Sequence, residues 1–174
     1  IIRMLHTLLG AELFRQGLNL YLTRHDGQAA TTDDFVRAMA EVSGRDLSQF
    51  KRWYTQAGTP RLVVQGEYDG QARTYTLTLG QSTPATAGQP EKEPLHIPIA
   101  LGLLDGEGRE IPLVCPARQG EAAHGLFELR GAEEIIRFST VPERPRLSIL
   151  RNFSAPLKVE YACEAEELLF LFRY

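Results

Sequence analysis

The sequence predicts an α+β fold: an N-terminal helical segment, then an antiparallel β-sandwich of the Ig-like or fibronectin-like kind, then the start of a C-terminal helix. Apolar residues repeat at helical spacing as far as Gly58-Thr59-Pro60, and after Pro60 short β-rich runs alternate with turns. Because no helical pattern separates most of these runs, a sandwich is favoured over a βαβ sheet. The apolar content of 43% and the charged content of 24% are typical of a folded globular protein.

The helical segment opens with an apolar face that includes Leu5, Leu8 and Leu9 and ends at Gly10. A second helix is predicted from about Ala11 to Arg24 by its apolar residues, which follow the 3.6-residue period. Its C-terminal end then explains His25 structurally, because the negative end of a helix dipole favours a cationic imidazole.

Capping signals predict where the next helices begin. Thr31–Thr32, with Asp33–Asp34 in the first turn, predicts the start of a helix that ends at Gly44. Asp46 and Gln49 have the spacing of a capping box, which predicts one more helix. The apolar face of that helix is predicted to be core rather than a ligand cage, and it comprises Leu47, Phe50, Trp53 and Tyr54.

The β-rich part alternates polar and apolar residues, as half-buried strands do. A segment with three prolines, Gln81 to Pro94, is predicted to be irregular, Asp105 to Gly108 to be a hairpin-like turn, and Gln119 to Gly131 to be largely loop. Glu164 to Tyr174 is typical of the start of a helix. The predicted strands are Arg61–Gln65, Arg73–Leu79, Ile97–Leu104, Glu110–Val114, Leu126–Leu129, Glu134–Ser139, Arg146–Leu150 and Leu157–Tyr161.

Charge, cysteine content and hydropathy exclude several classes of protein. The net charge of −3 and the lack of a basic stripe argue against a nucleic-acid partner, and the arginines of Arg144–Arg151 fit a solvated strand face. No apolar run approaches the roughly 20 residues that span a bilayer, so no membrane partner is expected. The two cysteines, Cys115 and Cys163, form no disulfide framework, which favours a reducing, cytoplasmic location.

The histidines give no sign of a metal site. None lies in an HExxH pair, in which two histidines share a helix face and bind zinc, and none has another histidine at ligand spacing. His6 and His25 are predicted to be structural, and His96 and His124 to lie at the surface. The sequence also contains no GxSxG nucleophile elbow, no Walker loop and no GxGxxG after a strand.

Paired carboxylates and cysteines also have structural explanations. Asp33–Asp34, Glu133–Glu134 and Glu166–Glu167 are adjacent acids that point in different directions, so helix-dipole partners and solvated faces are expected. Cys115 and Cys163 are expected to be small buried hydrophobic residues. The sequence therefore predicts no catalytic, cofactor-binding or metal-binding residue.

Blocks in the first 60 residues and in the later part of the chain carry a resemblance to a known family. Ile2-Arg3-Met4-Leu5-His6-Thr7-Leu8-Leu9-Gly10 and Tyr21-Leu22-Thr23-Arg24-His25 are similar to helices that close a thermolysin-like domain. Trp53-Tyr54-Thr55-Gln56-Ala57-Gly58-Thr59-Pro60 looks like the block that ends that domain, and Phe153-Ser154-Ala155-Pro156-Leu157-Lys158 is similar to the bacterial branch. Over essentially its whole length the chain resembles the bacterial aminopeptidase N family.

The resemblance implies a parent protein that is a zinc-dependent exopeptidase acting on the N-termini of peptides. The HExxH motif, the third zinc ligand, the amine-binding strand and the catalytic tyrosine of the family would all precede Ile1, so none of these roles carries over. It implies that residues 1–59 close the catalytic domain, 60–163 form a β-sandwich spacer, and 164–174 open a C-terminal helical domain. The zinc would belong to the parent, and the flanking domains would be partners of this stretch.

Two alternatives stay open: a stand-alone β-sandwich binding module, and a family member that has lost peptidase activity. The helical pattern at Ile1 has no cap, and the Leu/Phe-rich end has nothing after it to pack against, so an excerpt of a larger protein is expected. We also expect self-association through the apolar face of Ile1–Leu9 and through Leu168–Phe172, because large exposed apolar patches find partners.

Overall fold

The computed structural model describes residues 1–163 and 169–171. Helices come first and two packed β-sheets follow, as the sequence predicts. Short 3₁₀ turns lie at Pro116–Arg118 and Arg151–Phe153. The helices are α1 (Ile2–His25), α2 (Thr32–Ser43), α3 (Arg52–Thr55) and α4 (Gln119–His124).

Helix α1 is interrupted at Gly10, where φ is 76° and ψ is 164°. Only glycine adopts this backbone conformation without strain, so the chain breaks there and a new helical stretch begins. The predicted end of the first helix at Gly10 and the predicted second helix are therefore confirmed. Arg24 and His25 lie in the last turn, where cations are favoured by the helix dipole.

Helix α2 has a complete N-terminal cap. The backbone N–H of Asp34 donates to Thr31 Oγ1 (3.2 Å), and the backbone N–H of Thr31 donates to Asp34 Oδ2 (3.0 Å). Two orphan donors are satisfied reciprocally in this way. Gly44 ends the helix in the left-handed conformation, with φ of 64°. Both predicted ends are confirmed.

The capping box predicted from Asp46 and Gln49 is wrong. Asp46 does accept a hydrogen bond from the backbone N–H two residues later (2.8 Å). The Gln49 side chain instead donates to the backbone oxygens of Pro94 (3.2 Å) and Arg130 (2.7 Å), which lie in the β-rich part. Turns occupy the residues after Asp46, and the regular helix α3 begins only at Arg52. Acceptors brought close by the tertiary fold outcompete the local cap.

Two sheets form the sandwich, with strand orders β6-β2-β1-β8 and β4-β3-β5, and β7 also pairs with β3. All eight predicted strand regions contain a strand in the structure, with shifts of a few residues at their ends. The strands are β1 (Arg61–Asp69), β2 (Thr74–Ser82), β3 (Ile97–Leu104), β4 (Glu110–Ile111), β5 (Leu126–Leu129), β6 (Glu133–Phe138), β7 (Arg146–Ile149) and β8 (Lys158–Tyr161).

Strand β8 departs from the predicted antiparallel arrangement, because it pairs parallel with β1 from Arg61↔Lys158 to Val64↔Tyr161. Tight turns impose antiparallel pairing on neighbouring strands, whereas a parallel pair needs a long connection. The whole sandwich lies between β1 and β8 in sequence, so no turn dictates their relative direction.

The segment from Gln119 to Gly131 is more regular than the predicted loop. It begins with α4, which ends at Gly125 in the left-handed conformation (φ 61°), and continues into the predicted strand β5. The Glu121 side chain accepts a hydrogen bond from the backbone N–H of Glu128 (2.8 Å) and so ties α4 to β5. The Gly and Ala content that suggested a loop is accommodated in a short helix stabilised by this contact.

One buried apolar cluster runs through both parts of the chain. Met4, Leu5 and Met39 from the helices belong to the same cluster as Ile97 and Phe127 from the sandwich. Burial of such side chains contributes about 1.5–3 kcal/mol each. The helical segment is therefore packed against the sandwich rather than connected to it only through the chain at Gly58-Thr59-Pro60.

Candidate functional site

Among the described residues, no group of three or more His, Cys, Asp and Glu side chains is arranged to hold a metal ion. His6 and His25 lie on α1, each beside an aromatic ring: Phe14, with centroids 5.2 Å apart, and Tyr21, 5.3 Å apart. His124 is exposed at the end of α4. The candidate site is instead the junction at which the helices meet the sandwich.

The prediction that His96 lies at the surface is wrong. The residue is 0% exposed, and its ring packs edge-on against Phe50, with centroids 6.1 Å apart. Its backbone oxygen accepts a hydrogen bond from the indole N–H of Trp53 (2.8 Å), and its Nε2 lies 2.8 Å from Glu128 Oε2. His96 directly precedes β3, and nearly all of β3 is buried on both faces. Such a strand shows no alternation that could reveal an inward-facing polar residue.

Glu128 is the centre of a polar network, which we call the junction network: Arg45, His96, Glu128 and Arg130. Besides the contact with His96, the Glu128 carboxylate accepts hydrogen bonds from Arg45 and from Arg130 Nη2 (3.0 Å). Arg45 also donates to the backbone oxygen of Leu8 (2.7 Å). The network therefore links α1 and the turn after α2 to strands of the sandwich.

The junction network keeps Glu128 ionised. Burial of the carboxyl group by itself raises its pKa, but the hydrogen bonds from His96, Arg45 and Arg130 outweigh burial. The net effect holds the pKa of Glu128 far below the usual range of a glutamate. The carboxylate is charged at neutral pH and stabilises the folded state through three donors.

A second set of contacts joins the helices to residues 89–96, which we call the strap. Gln56 and Glu93 exchange two hydrogen bonds, from Gln56 Nε2 to the Glu93 backbone oxygen (3.1 Å) and from the Glu93 backbone N–H to Gln56 Oε1 (2.9 Å). Arg52 donates to the Pro94 backbone oxygen (2.7 Å), and Lys92 Nζ donates to the Ala57 backbone oxygen (2.8 Å). The predicted irregular segment is irregular beyond β2, and it fastens α3 to the sandwich.

Gln81 holds the other side of the strap. Its Nε2 donates to the backbone oxygens of Leu95 and Gly131 (both 2.8 Å), and its Oε1 accepts from the Leu95 backbone N–H (2.8 Å). The side chain is almost fully buried and so is Leu95, so the two bonds between them are shielded from water, whereas Gly131 is half-buried. Gln81 therefore fixes the position of the strap immediately before His96.

Glu134 and the cysteines differ in part from expectation. The Glu134 carboxylate is mostly buried and accepts hydrogen bonds from the backbone N–H groups of Arg130 (2.7 Å) and Gly131 (3.0 Å) and from Arg118. Burial raises the pKa of this carboxyl, but these hydrogen bonds bring it below the usual value. A solvated role for Glu134 is thus wrong.

Cys115 is buried as expected, Cys163 is only half-buried, and both are free thiols.

The surface expected to drive self-association is mostly covered. Met4, Leu5, Leu8 and Leu9 are buried in the core of the same chain, so the face of Ile1–Leu9 is not an open patch. The reason is the packing of α1 against the sandwich, which sequence periodicity does not reveal. In the second predicted surface, Leu169 is 65% exposed, while Leu168 and Phe172 lie outside the described residues, as does most of the helix predicted from Glu164.

Within residues 1–163 and 169–171, each helix is too short or too polar to cross a lipid bilayer.

Comparison with known proteins gives two family matches. Residues 58–162 match the family described as a domain of unknown function (DUF3458) with an Ig-like fold. Residues 1–54 match the peptidase family M1 domain.

Similar proteins align over the full chain. Aminopeptidase N of Escherichia coli strain K12 is 48% identical over 174 residues, and aminopeptidase N of Haemophilus influenzae is 42% identical over 174 residues; in both, the alignment covers 100% of this chain and 20% of the relative. The crystal structure of Legionella pneumophila aminopeptidase A in complex with aspartic acid matches with a TM-score of 0.82 and 31% identity, over 99% of this chain and 18% of that protein.

The chain thus spans about a fifth of the length of the curated relatives that it matches. The DUF3458 match covers more than half of the chain and coincides with the sandwich and α4, whereas the M1 match covers α1, α2 and most of α3. The chain therefore belongs to the DUF3458 family of Ig-like domains, and its helical segment is similar to the peptidase family M1 domain.

Proposed function

We propose that this chain is a non-catalytic structural part of a zinc-dependent aminopeptidase, in which the sandwich is a spacer held in a fixed position against the catalytic domain. The observation that carries the proposal is the junction network. Arg45, from the segment that matches the M1 domain, bonds to Glu128 of the sandwich, which also holds His96. Charge-assisted contacts of this kind, together with a shared apolar core, restrict the relative motion of two parts.

In the proposed domain organisation, residues 1–59 form the end of the catalytic domain, residues 60–163 form the spacer, and residues 164–174 form the start of a C-terminal helical domain. The two flanking domains of the parent are then the partners of this stretch. The sandwich is linked to α3 by the strap as well as by the chain itself, which suits an element that sets the distance and angle between its neighbours.

A zinc ion bound elsewhere in the proposed parent would supply Lewis-acid chemistry for the hydrolytic release of N-terminal amino acids from peptides. The described residues of this chain do not fit a zinc site, because no group of three or more ligating side chains comes together among them. We therefore assign no catalytic step to these residues. The names of the relatives, aminopeptidase N in three bacteria, support this class of parent. The two free thiols support a reducing, cytoplasmic location.

The test compares the longer parent protein with the isolated 174-residue chain. Zinc content and hydrolysis of an alanine-based chromogenic amide are measured for both, together with intact mass. We expect zinc and activity in the parent and neither in the isolated chain. A parent without hydrolysis would show that the aminopeptidase assignment is wrong. Zinc-dependent hydrolysis by the purified chain, with contamination excluded, would overturn its non-catalytic role and favour a site that lies within it.

The spacer role needs its own measurement in the parent. Glu128→Gln removes the negative charge at the centre of the junction network. The control, Glu41→Gln, removes an exposed carboxylate that bonds to Arg24 within the helical segment. We expect both variants to keep their zinc, and only Glu128→Gln to make the sandwich more susceptible to proteolysis at the strap. Equal susceptibility of the two variants would contradict a holding role for the network.

A further inference from the structure

The loop that follows β7 has an unusual backbone. Leu150, Asn152 and Phe153 all have left-handed conformations, with φ of 55°, 55° and 52°. Each such residue other than glycine costs on the order of 1 kcal/mol or more, and strain of this kind persists where the surroundings enforce it. Strained segments concentrate at binding and switch regions. The loop 150–153 is therefore a candidate for a built recognition element rather than a passive connection.

Contacts on both sides hold the loop in this shape. Arg151 Nε donates to Ser148 Oγ (3.0 Å), and Arg151 Nη1 donates to Glu110 Oε1 (2.7 Å). The Arg151 guanidinium lies so close to Gly102 that a Cβ there would be 2.2 Å from it. Buried Ser154 accepts a hydrogen bond from the backbone N–H of Ala100 (3.1 Å), which anchors the end of the loop on β3.

The anchored loop presents an aromatic side chain to solvent. Phe153 is 83% exposed, although exposing a phenylalanine forfeits about 1.5–3 kcal/mol of burial free energy. Beside it lies a cavity of about 1080 Å³ whose lining includes Ile1, Trp53, Pro60, Leu150, Leu157 and Val159. A strained, anchored loop that carries an exposed ring at the edge of an apolar cavity is typical of a surface that another polypeptide covers.

The cavity continues the interface between the helices and the sandwich. Trp53 lines it and also donates to His96 at the junction, and Gly58 to Pro60, which connect the two parts, form another wall. Ile1, at the start of the M1-like segment, lies at the cavity as well. The matched relatives are about five times as long as this chain, so most of their residues lie outside it.

We propose that the loop 150–153 and this cavity form an intramolecular docking surface for the part of the M1 domain that precedes Ile1 in the parent. The occupant presents an apolar groove that receives the Phe153 ring, and it contributes apolar side chains to the cavity. This inference rests on the proposed function, since it needs a parent with an M1 domain. It makes Phe153 a positioning residue: the ring fixes the sandwich against the catalytic domain and takes no part in the chemistry.

The test uses the full-length parent with Phe153 replaced by the photo-cross-linking amino acid p-benzoylphenylalanine. The matched control carries the same amino acid at Ile135, a β-branched residue of β6 that is 61% exposed. Cross-linked peptides are identified by mass spectrometry at several protein concentrations. We expect position 153 to cross-link within one chain to residues that precede Ile1, with a yield that does not depend on concentration, and position 135 to give little intramolecular product.

Three results would overturn the docking surface: cross-links from position 153 to residues after Tyr174, cross-links between two chains, or no more product than at position 135. A second measurement is needed in case the parent that carries the bulky amino acid at position 153 does not fold. Alkylation of Phe153→Cys in the parent should be at least about tenfold slower than that of Ile135→Cys, as expected when a label must wait for local opening. Equal rates would refute the proposal. Zinc and hydrolysis of the unmodified parent test the proposed function separately.

Discussion

Replacing Glu128 with glutamine removes a charge from the junction network and leaves the shape of the side chain almost unchanged. Glu128 is 17% exposed and accepts hydrogen bonds from His96, Arg45 and Arg130. Hydrogen bonds to a charged group contribute about 1.5–3 kcal/mol each, and breaking a buried ion pair costs about 3–5 kcal/mol. Both arginines keep partial access to water, and glutamine keeps one acceptor oxygen. We therefore expect a loss of about 3 kcal/mol in the free energy of unfolding.

Equilibrium urea unfolding followed by tryptophan fluorescence measures this loss. Trp53 is the single tryptophan of the chain, and its indole N–H bonds to His96, so the signal reports on the junction itself. With a denaturant slope of about 2 kcal/mol/M, the midpoint should fall by about 1.5 M. Glu41→Gln is the control: Glu41 accepts two hydrogen bonds from Arg24 but is 51% exposed, so a much smaller shift is expected. Equal shifts for the two variants would refute the reasoning.

The same pair of proteins gives a pH dependence with a defined sign. The pKa of Glu128 is lower in the folded state than in the unfolded chain, where a glutamate titrates near about 4.3. As the pH falls below that value, Glu128 becomes protonated in the unfolded state while it stays ionised in the folded state. The stabilisation by Glu128 is therefore lost progressively between the unfolded-state pKa and the lower folded-state pKa. The advantage of wild type over Glu128→Gln should therefore shrink as the pH falls below about 4.3. An advantage that grows in acid would contradict the assignment.

Three further predictions concern packing and capping, each measured by urea unfolding. Gly17→Ala should destabilise the chain by about 1–3 kcal/mol, because the added Cβ would lie 2.5 Å from Met39 Sδ. The control is Gly120→Ala: Gly120 is also in a helix, but a Cβ there meets open space, so this variant should be neutral or stabilising by up to about 1 kcal/mol. An equal effect of both would contradict the close approach of α1 and α2. Thr31→Ala should cost about 1 kcal/mol through loss of the cap, and no loss would show that the cap is redundant. Gln81→Ala should cost about 2–4 kcal/mol, since it removes the partner of the buried N–H and C=O of Leu95 and of the half-buried C=O of Gly131. Unchanged stability would mean that water replaces the side chain.

Local signals predicted the secondary structure well. The helix ends at Gly10 and Gly44 and the cap at Thr31 depend on residues within one turn, so they follow from the sequence directly. The strands follow from the two-residue alternation and from the turns between them. Where a local signal competed with a distant partner it failed: Gln49 bonds to Pro94 and Arg130 instead of capping a helix.

The candidate site could not be predicted in the same way. His96 and Glu128 are 32 residues apart, and Arg45 is farther still from Glu128, so no spacing in the sequence brings them together. Glu128 lies in a strand whose burial pattern alternates, and it occupies a position on the less buried face, where a glutamate is expected to be solvated. Only the packing of the helical segment against the sandwich converts this position into the centre of a partly buried network.

The sequence by itself determined α1, α2 and the order of the eight strands, the cap at Thr31 and the resemblance to a peptidase family, because each of these depends on neighbouring residues or on a contiguous block. The tertiary structure alone decided the parallel direction of β8, the burial of His96 and the charge network around Glu128. It also decided the left-handed loop that exposes Phe153. The physical reason is the same in each case: these features arise from contacts between residues distant in sequence, whose free energies exceed the local preferences that a sequence pattern records.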